Sequence, residues 1–417
     1  MPSSRDTFQD GPRDASQDGP RDTSQGTPRG ASEETSAERP PGRPPLASLT
    51  PEQRAWTATL RTLAARRLRP LVEAAEPGRV NRPLVAALGE HGLLARVFPP
   101  DGVVRAVDLC LLREALGQEC TEAETALALQ GLGAHPIAEA GTEKQRARWL
   151  PEVVAGRAVA AFALSEPEAG SDAAALRLRA EPASGSGWTL HGEKQWISNA
   201  PEADFYTVFA RTRPEAGAHG VTAFLVPADR PGLGGRPLRM IAPHPVGLLT
   251  FDGVPVGPDD VLGEVDGGFG VALRTLDLFR PSVGAFAVGM SRAALRVALT
   301  HAAERRAFGG PLKDLQAVSH QLADMATRTE AAALLVHAAA TAYDAGEPGV
   351  AGRSAMAKLY ATETAQYVVD AALQIHGARG LEQGHLLEHL YREVRATRIY
   401  EGATEVQRTI IARELYR

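Results

Sequence analysis

Twice along its 417 residues the chain changes the spacing at which apolar side chains recur. From about 46 to 160, Leu, Ala and Val return every three or four residues, which lines one face of a helix. From 161 to about 268 the pattern becomes short runs, "WTLHGEKQWI", "DFYTVFART", "GVTAFLVP" and "LLTFDGVPV". Gly, Pro, Asn and Asp separate these runs at short intervals, as turns separate strands. After "EVDGGFG" the helical spacing returns. "SHQLADMATRTEAAALLVHAAATAYDAG" is rich in Ala and Leu and stops at Gly346. A segment written for one period does not sit stably in the other. The sequence therefore predicts a mostly α fold with a β middle domain. An N-terminal helical domain covers 46–160, an antiparallel sheet or β-barrel domain 161–268, and a C-terminal bundle of four or five helices, read as a four-helix bundle, 269–417.

The first 45 residues differ from the rest. They repeat an eight-residue unit, "RDTFQDGP", "RDASQDGP", "RDTSQGTP", at 5–28. A period of eight ending in Pro builds neither a helix nor a solenoid, and Phe8 is the one aromatic there, so 1–45 is predicted to be a disordered tail. The tail lacks the apolar core of a secretory signal, and its acidic residues argue against a mitochondrial transit peptide. Order is expected to start at "LTPEQRAW", where Thr50 can cap, Pro51 suits the first helical position and Gln53 completes a capping box.

Bulk properties narrow the function. With 45 basic and 50 acidic residues the net charge is −5, which offers no general attraction to nucleic acid or anionic membrane. No apolar run reaches the length of a membrane span. The two cysteines, Cys110 and Cys120, fall in what reads as one helical stretch and supply neither a disulfide framework nor a metal quartet. Small apolar core positions and a reducing, cytoplasmic setting are the expectation.

Chemistry concentrates in separated motifs. "AFALSEPEAGSD" (161–172) leaves a strand for a loop, and "GEKQWISNAPEADFY" (192–206) puts Trp196 and Ser198 on a strand. "ERRAFGGPLKDLQAVSHQLADM" (304–325), "QIHGARGLEQGHLLEHLYREVR" (374–395) and "RIYEGATEVQR" (398–408) follow. In this order and spacing, over about 46–417, the chain resembles the acyl-CoA dehydrogenase family. The resemblance implies FAD as cofactor, and the residues agree: no side chain accepts a hydride, whereas a flavin does. A planar ring system wants a flat wall, which Trp196 offers, and a few donors, which Ser165 and Ser198 offer. By the resemblance, Phe162, Leu164, Ser165, Ser171, Trp196, Ile197 and Ser198 line the flavin. Arg305, Phe308 and Gln316 match residues that hold the adenine and diphosphate end from a neighbouring subunit. Gln374, Ile375, Gly377 and Ala378 match a second diphosphate loop, and Ala403, Thr404 and Glu405 fall in the segment beside the flavin. Arginine and glycine-flanked backbone N–H groups are what a diphosphate needs.

Glu401 stands between Tyr400 and Gly402. An aromatic ring shields a carboxylate from water, and a glycine admits a close neighbour. Removing the α-proton of an acyl thioester needs a base, and the resemblance implies that Glu401 is that base. Burial would raise a carboxyl from its ordinary pKa of about 4.3, while the helix that starts after it would oppose the rise. Some relatives carry the base on the helix that here reads "TLDLFRPSVG"; the matching residue is Phe279, which takes no proton. Asp277 and Arg280 on that helix match residues near the substrate, as do Ser171 and Gly402, although an i,i+3 ion pair explains Asp277 and Arg280 nearly as well.

The chain departs from the common pattern at Ala378, where a second glycine is usual, and at Ala403, where threonine is usual. "FPPDGVVRAVD" (98–108) lacks the paired glycines common in the first domain, so a reshaped loop is expected there. "HLLEH" (385–389) matches a zinc-peptidase pattern, but Glu388 and Arg392 fall where the family has a structural ion pair, so no metal is expected. The expected reaction is α,β-dehydrogenation of an acyl-CoA to the trans-2-enoyl-CoA, with an electron-transfer flavoprotein as acceptor and a homodimer or homotetramer as assembly. The alternatives are a flavin monooxygenase or oxidase on the same fold and a non-catalytic acyl-CoA-binding protein.

Overall fold

A computed structural model describes residues 49–183 and 185–416; the expectation for the repeat tail lies outside them. Helix α1 (Pro51–Leu63) opens as its sequence requires. Gln53 N donates to the Thr50 hydroxyl at 3.2 Å, and Thr50 N donates to the Gln53 side chain at 2.9 Å. A π-helical turn at Ala64–Leu68 carries the chain into α2 (Arg69–Glu73). Then come α3 (Arg82–Glu90), α4 (Leu93–Val97), α5 (Ala106–Glu119), α6 (Thr121–Ala140) and α7 (Glu143–Val154). Cys120 has an extended backbone, φ −157°, and breaks what the sequence reads as one helix into α5 and α6. Both thiols are free and buried. The loop at 98–105 provides no side-chain cap for α5; instead Ala106 N and Val107 N donate to the Asp344 carboxylate from the C-terminal helices at 2.6 and 3.0 Å.

The middle region forms one eight-stranded sheet. Its strands are β1 (Ala160–Ala163), β2 (Arg179–Pro182), β3 (Trp188–Ser198), β4 (Phe205–Arg211), β5 (Val221–Pro227), β6 (Leu233–Leu238), β7 (Val246–Val256) and β8 (Val261–Leu262). The order is β6-β7-β3-β2-β4-β5-β8, with β1 paired to β4 off this path. Most neighbours are antiparallel as expected, but β1 runs parallel to β4, with Ala161 opposite Tyr206, and β2 meets β4 in parallel at one point. Alternation within a strand reports which face is buried, not the direction of its partner, so this pairing was not readable from the sequence.

Five helices follow: α8 (Gly268–Glu304), α9 (Gln316–Asp344), α10 (Val350–His376), α11 (Leu386–Thr397) and α12 (Thr404–Glu414). The short strands β9 (Arg306–Ala307) and β10 (Gly310–Pro311) form a hairpin between α8 and α9. Helix α8 is the central member and touches α5, α6, α9 and α10. Two glycines let it approach so closely. A β-carbon at position 284 would lie 2.8 Å from Val336, and one at 289 would strike the Glu114 carbonyl. By length and composition α8 is apolar enough to cross a membrane, which corrects the expectation that no segment was. Asp277 and Arg280 interrupt its apolar run in the sequence, yet most of the helix faces protein: Leu278, Phe279, Val283 and Phe286 are fully buried.

Candidate active site

The corner between α11 and α12 carries Glu401 with φ +52°, left-handed backbone that a non-glycine residue adopts at some expense. Gly402 follows at φ +94°, where a β-carbon would collide with the Gln407 amide. That amide and the Lys358 ammonium both donate to the Gly402 carbonyl, at 2.9 and 2.7 Å. Below the corner, Arg398 Nε and the Thr404 hydroxyl each donate to Glu363 Oε1 at 2.9 Å. The turn is thus held from three sides, and the carboxyl of Glu401 is left over. Its Oε2 is sealed from solvent and has no hydrogen-bond partner. Burial raises the pKa of Glu401, and the cations Arg113, Lys358 and Arg280 oppose the rise. Burial also lifts the Tyr400 phenol well above its usual range.

Three elements bring charge to this corner. Arg113 of α5 is 2% exposed, pairs through Nε with Glu124 of α6, and donates from Nη1 to the Ser282 hydroxyl of α8 at 2.6 Å. Arg280, also buried, pairs with Asp277 at 2.7 Å, and its Nε lacks a partner. Phe279 points elsewhere: it is fully buried, packs edge-on against His135 with ring centres 6.0 Å apart, and lies where a β-carbon on Gly131 would go.

Trp196 stands on β3 at an irregularity in its pairing with β7, with φ +58° and 46% of its surface exposed. The break in register lets an indole leave the sheet plane without dragging Ile197 out of the core. A buried ion pair holds the loop after β1 against it. Lys194 Nζ donates to the Leu164 carbonyl and to Glu166 Oε1, both at 2.8 Å, and Gln195 N donates to the Ser165 carbonyl at 3.0 Å. Ser165 and Ser198 are half-buried beside this wall, and Ser171 is exposed. Phe162, half-buried, packs against Phe209 of the core with ring centres 4.9 Å apart.

A second group gathers where α8 and α10 end. His301 and His376 stack at 4.2 Å, and His385 lies 5.4 Å from His376. This joins Arg305 at the end of α8 to Gln374, Ile375 and Gly377 at the end of α10. Gly377 has φ +60° with open space where a β-carbon would be. Arg305, Gln316, Gln374 and Ala378 are exposed, and Phe308 on the β9–β10 hairpin is 91% exposed with φ +51°.

Three family profiles cover the described chain in sequence. The acyl-CoA dehydrogenase N-terminal, middle and C-terminal domains match residues 50–157, 161–254 and 266–416. The chain belongs to the acyl-CoA dehydrogenase family. The probable acyl-CoA dehydrogenase fadE25 of Mycobacterium leprae is 36% identical over 379 residues, covering 89% of this chain and 97% of that protein. The mitochondrial short-chain specific acyl-CoA dehydrogenase of Bos taurus is 38% identical over 338 residues, covering 79% and 82%. Butyryl-CoA dehydrogenase of Megasphaera elsdenii superposes with a TM-score of 0.83 at 32% identity, covering 88% of this chain and 99% of that one.

The protein is therefore an acyl-CoA dehydrogenase, an oxidoreductase dependent on FAD. The residues present fit that cofactor: an aromatic wall exposed on a strand, half-buried hydroxyls beside it, and open glycine backbone near Arg305. Some of the residues named from the sequence are already engaged within the chain. The Thr404 hydroxyl goes to Glu363, and the Leu164 carbonyl to Lys194. Ala403, lacking a hydroxyl, precedes α12 without capping it. Glu405 is exposed and Ile197 buried. The Glu388–Arg392 pair is present at 2.8 Å, while His385 accepts from Leu387 N at 3.1 Å and His389 bonds Thr121 at 2.6 Å, so the "HLLEH" histidines serve different neighbours. Sequence reasoning missed Lys194, Glu166, Arg113, Glu124 and Lys358. The signal for Lys194 was available: it is in phase with buried Leu190 on a strand, where a charge needs a partner.

Proposed function

We propose that this dehydrogenase converts a short acyl-CoA to its trans-2-enoyl-CoA, with Glu401 as the base that removes the α-proton. The observation that carries the reading is Glu401 Oε2, a carboxylate oxygen buried without a hydrogen-bond partner, at a backbone corner held in left-handed strain. Buried polar atoms are normally satisfied, and an orphan of this kind marks a place for a ligand. Burial makes the carboxylate more basic than in water, and Arg113, Lys358 and Arg280 oppose that rise. Gly402 is needed for the turn itself, because the space a β-carbon would fill is taken by the Gln407 amide. FAD, when bound, supplies the acceptor for the β-hydride. The chain's own part is to orient the acyl group and to take the proton on Glu401. The short-chain class is supported by the likeness to the bovine short-chain specific acyl-CoA dehydrogenase and to Megasphaera butyryl-CoA dehydrogenase.

An electron-transfer flavoprotein as the next acceptor and a homotetramer as the assembly complete the proposal. Arg305, Phe308 and Gln316 would then contact a neighbour's cofactor, which suits their exposure. Glu401→Gln tests the central claim. The variant should bind FAD and butyryl-CoA, while anaerobic flavin reduction by butyryl-CoA slows by about 10²- to 10⁴-fold. Dithionite should still reduce it at the normal rate, since that needs no base. Rapid bleaching of the variant by butyryl-CoA would overturn the assignment.

A further inference from the structure

Glu401 and Gly402 stand in succession in left-handed backbone, at φ +52° and +94°. A non-glycine residue stays there only where its surroundings over-determine it. Here the constraint falls on two carbonyls. Lys358, reaching from α10, donates from Nζ to the Gly402 carbonyl at 2.7 Å. Gln407, in the first turn of α12, donates from Nε2 to the same carbonyl at 2.9 Å and to the Glu401 carbonyl at 3.4 Å. The Glu401 carbonyl belongs to the planar peptide that sets ψ of residue 401, and the Gly402 carbonyl to the next one. Pinning both leaves the Cα–Cβ bond of Glu401 one direction. Both donors are completely buried. Lys358 makes no ion pair among the described residues, and Gln407 Oε1 has no partner. A buried ammonium without a carboxylate, and an amide satisfied at one end only, are costly ways to close a turn. Neutral backbone donors close most turns at less cost.

We infer that Lys358 and Gln407 are positioning residues that aim the Glu401 carboxylate by fixing the two peptides beside it. This rests on the reading of Glu401 as the base. Neither residue takes or gives the proton; both act through the backbone. The carboxylate's own Oε2 accepts no hydrogen bond, so the backbone is what directs it. Freed of its donors, the Gly402 carbonyl would turn, residue 401 would relax toward negative φ, and the carboxylate would swing with it. A displacement of about 1 Å between a base and its proton is enough to cost about 10²-fold in rate.

Lys358→Met keeps most of the side chain's length and removes the ammonium. Gln407→Leu keeps most of the volume and removes the amide. For each, FAD content, the dissociation constant for butyryl-CoA and the anaerobic rate of flavin reduction are read on the pH-independent plateau, where a change in the basicity of Glu401 does not imitate a change in its aim. Each variant should bind FAD and butyryl-CoA within about twofold of the parent and reduce its flavin about 10- to 100-fold more slowly. Gln407→Leu exchanges neutral for neutral, so its slowing does not come from lost charge, and it decides alone if Lys358→Met does not fold. Lys358→Met should melt no lower than the parent, because an uncompensated buried charge leaves with it. The deciding background is Glu401→Gln. No carboxylate remains there to be aimed, so adding Lys358→Met or Gln407→Leu should change the residual reduction rate by less than about twofold. A merely structural clamp would slow that background as much as it slows the parent, with FAD lost in step. That result, or variants that reduce their flavin at the parent's rate, would overturn the inference while slow reduction by Glu401→Gln still upheld the base. Fast reduction by Glu401→Gln would remove the base and the inference together.

Discussion

Glu401 combines left-handed backbone, a buried oxygen without a donor, and a raised pKa. A group arranged for chemistry in this way weakens the fold that holds it. The direction can be worked out from linkage. Below the unfolded pKa of about 4.5 the carboxyl is protonated in both states and contributes nothing. Between that value and the raised folded pKa, the folded state binds more protons than the unfolded, so stability falls as pH rises. Above the folded pKa the loss is complete. Glu401→Gln has no proton to release, so it should melt higher than the parent at neutral pH, and the difference should close as pH drops toward about 4. Thermal scans of the two FAD-loaded proteins across pH 4–8 check this. A variant that melts lower than the parent at pH 7.5 would mean that the carboxylate is stabilised by contacts that its burial hides.

At the scale of elements, the flavin wall depends on a tie between two strands of one sheet. Lys194 of β3 is completely buried, and burial lowers its pKa to about 8. It holds the loop after β1 through Glu166, whose carboxylate also accepts from Arg177 N at 2.5 Å and Leu178 N at 2.9 Å. Removing one member of such a pair leaves the other buried and uncompensated. Lys194→Met should therefore lower stability by about 3 kcal/mol in urea unfolding and loosen FAD. Adding Glu166→Gln should recover part of that loss. A change below about 1 kcal/mol would show the tie to be solvated. The sequence revealed the elements but not this tie. Helix and strand periods, the Thr50 capping box and the stop at Gly346 are local patterns, and each is present. Trp196, Glu401 and the Arg305 segment were found through motifs whose order is itself local information. The Lys194–Glu166 and Arg113–Glu124 pairs, the Asp344 cap on α5 and the parallel β1–β4 pairing join segments that local patterning leaves unconnected. Only the fold makes them neighbours.

At the scale of the whole molecule the question is what covers the end of the bundle. Phe308 is 91% exposed on a hairpin tip with left-handed backbone, and Arg305, three residues before it, makes no ion pair among the described residues. A large ring in water and an unpaired guanidinium at one corner are poor features for a free surface and good ones for a contact. Exposed Gln374 and the open backbone of Gly377 lie at the same end, linked through the His301–His376 stack. If a neighbouring subunit's diphosphate sits here, cofactor binding and assembly are one equilibrium, and each ligand that joins subunits stabilises both. Arg305→Ala should then leave the purified protein short of FAD, and the flavin-free fraction should sediment as smaller species that added FAD drives back together. Phe308→Ser should act in the same direction with a smaller loss of flavin, because it removes apolar contact and no charge. Absorbance at the flavin band against protein, and sedimentation velocity at two protein concentrations with and without excess FAD, read both effects. A fully flavinated, stable monomer of Arg305→Ala would show that this corner faces water, and that each chain holds its cofactor alone.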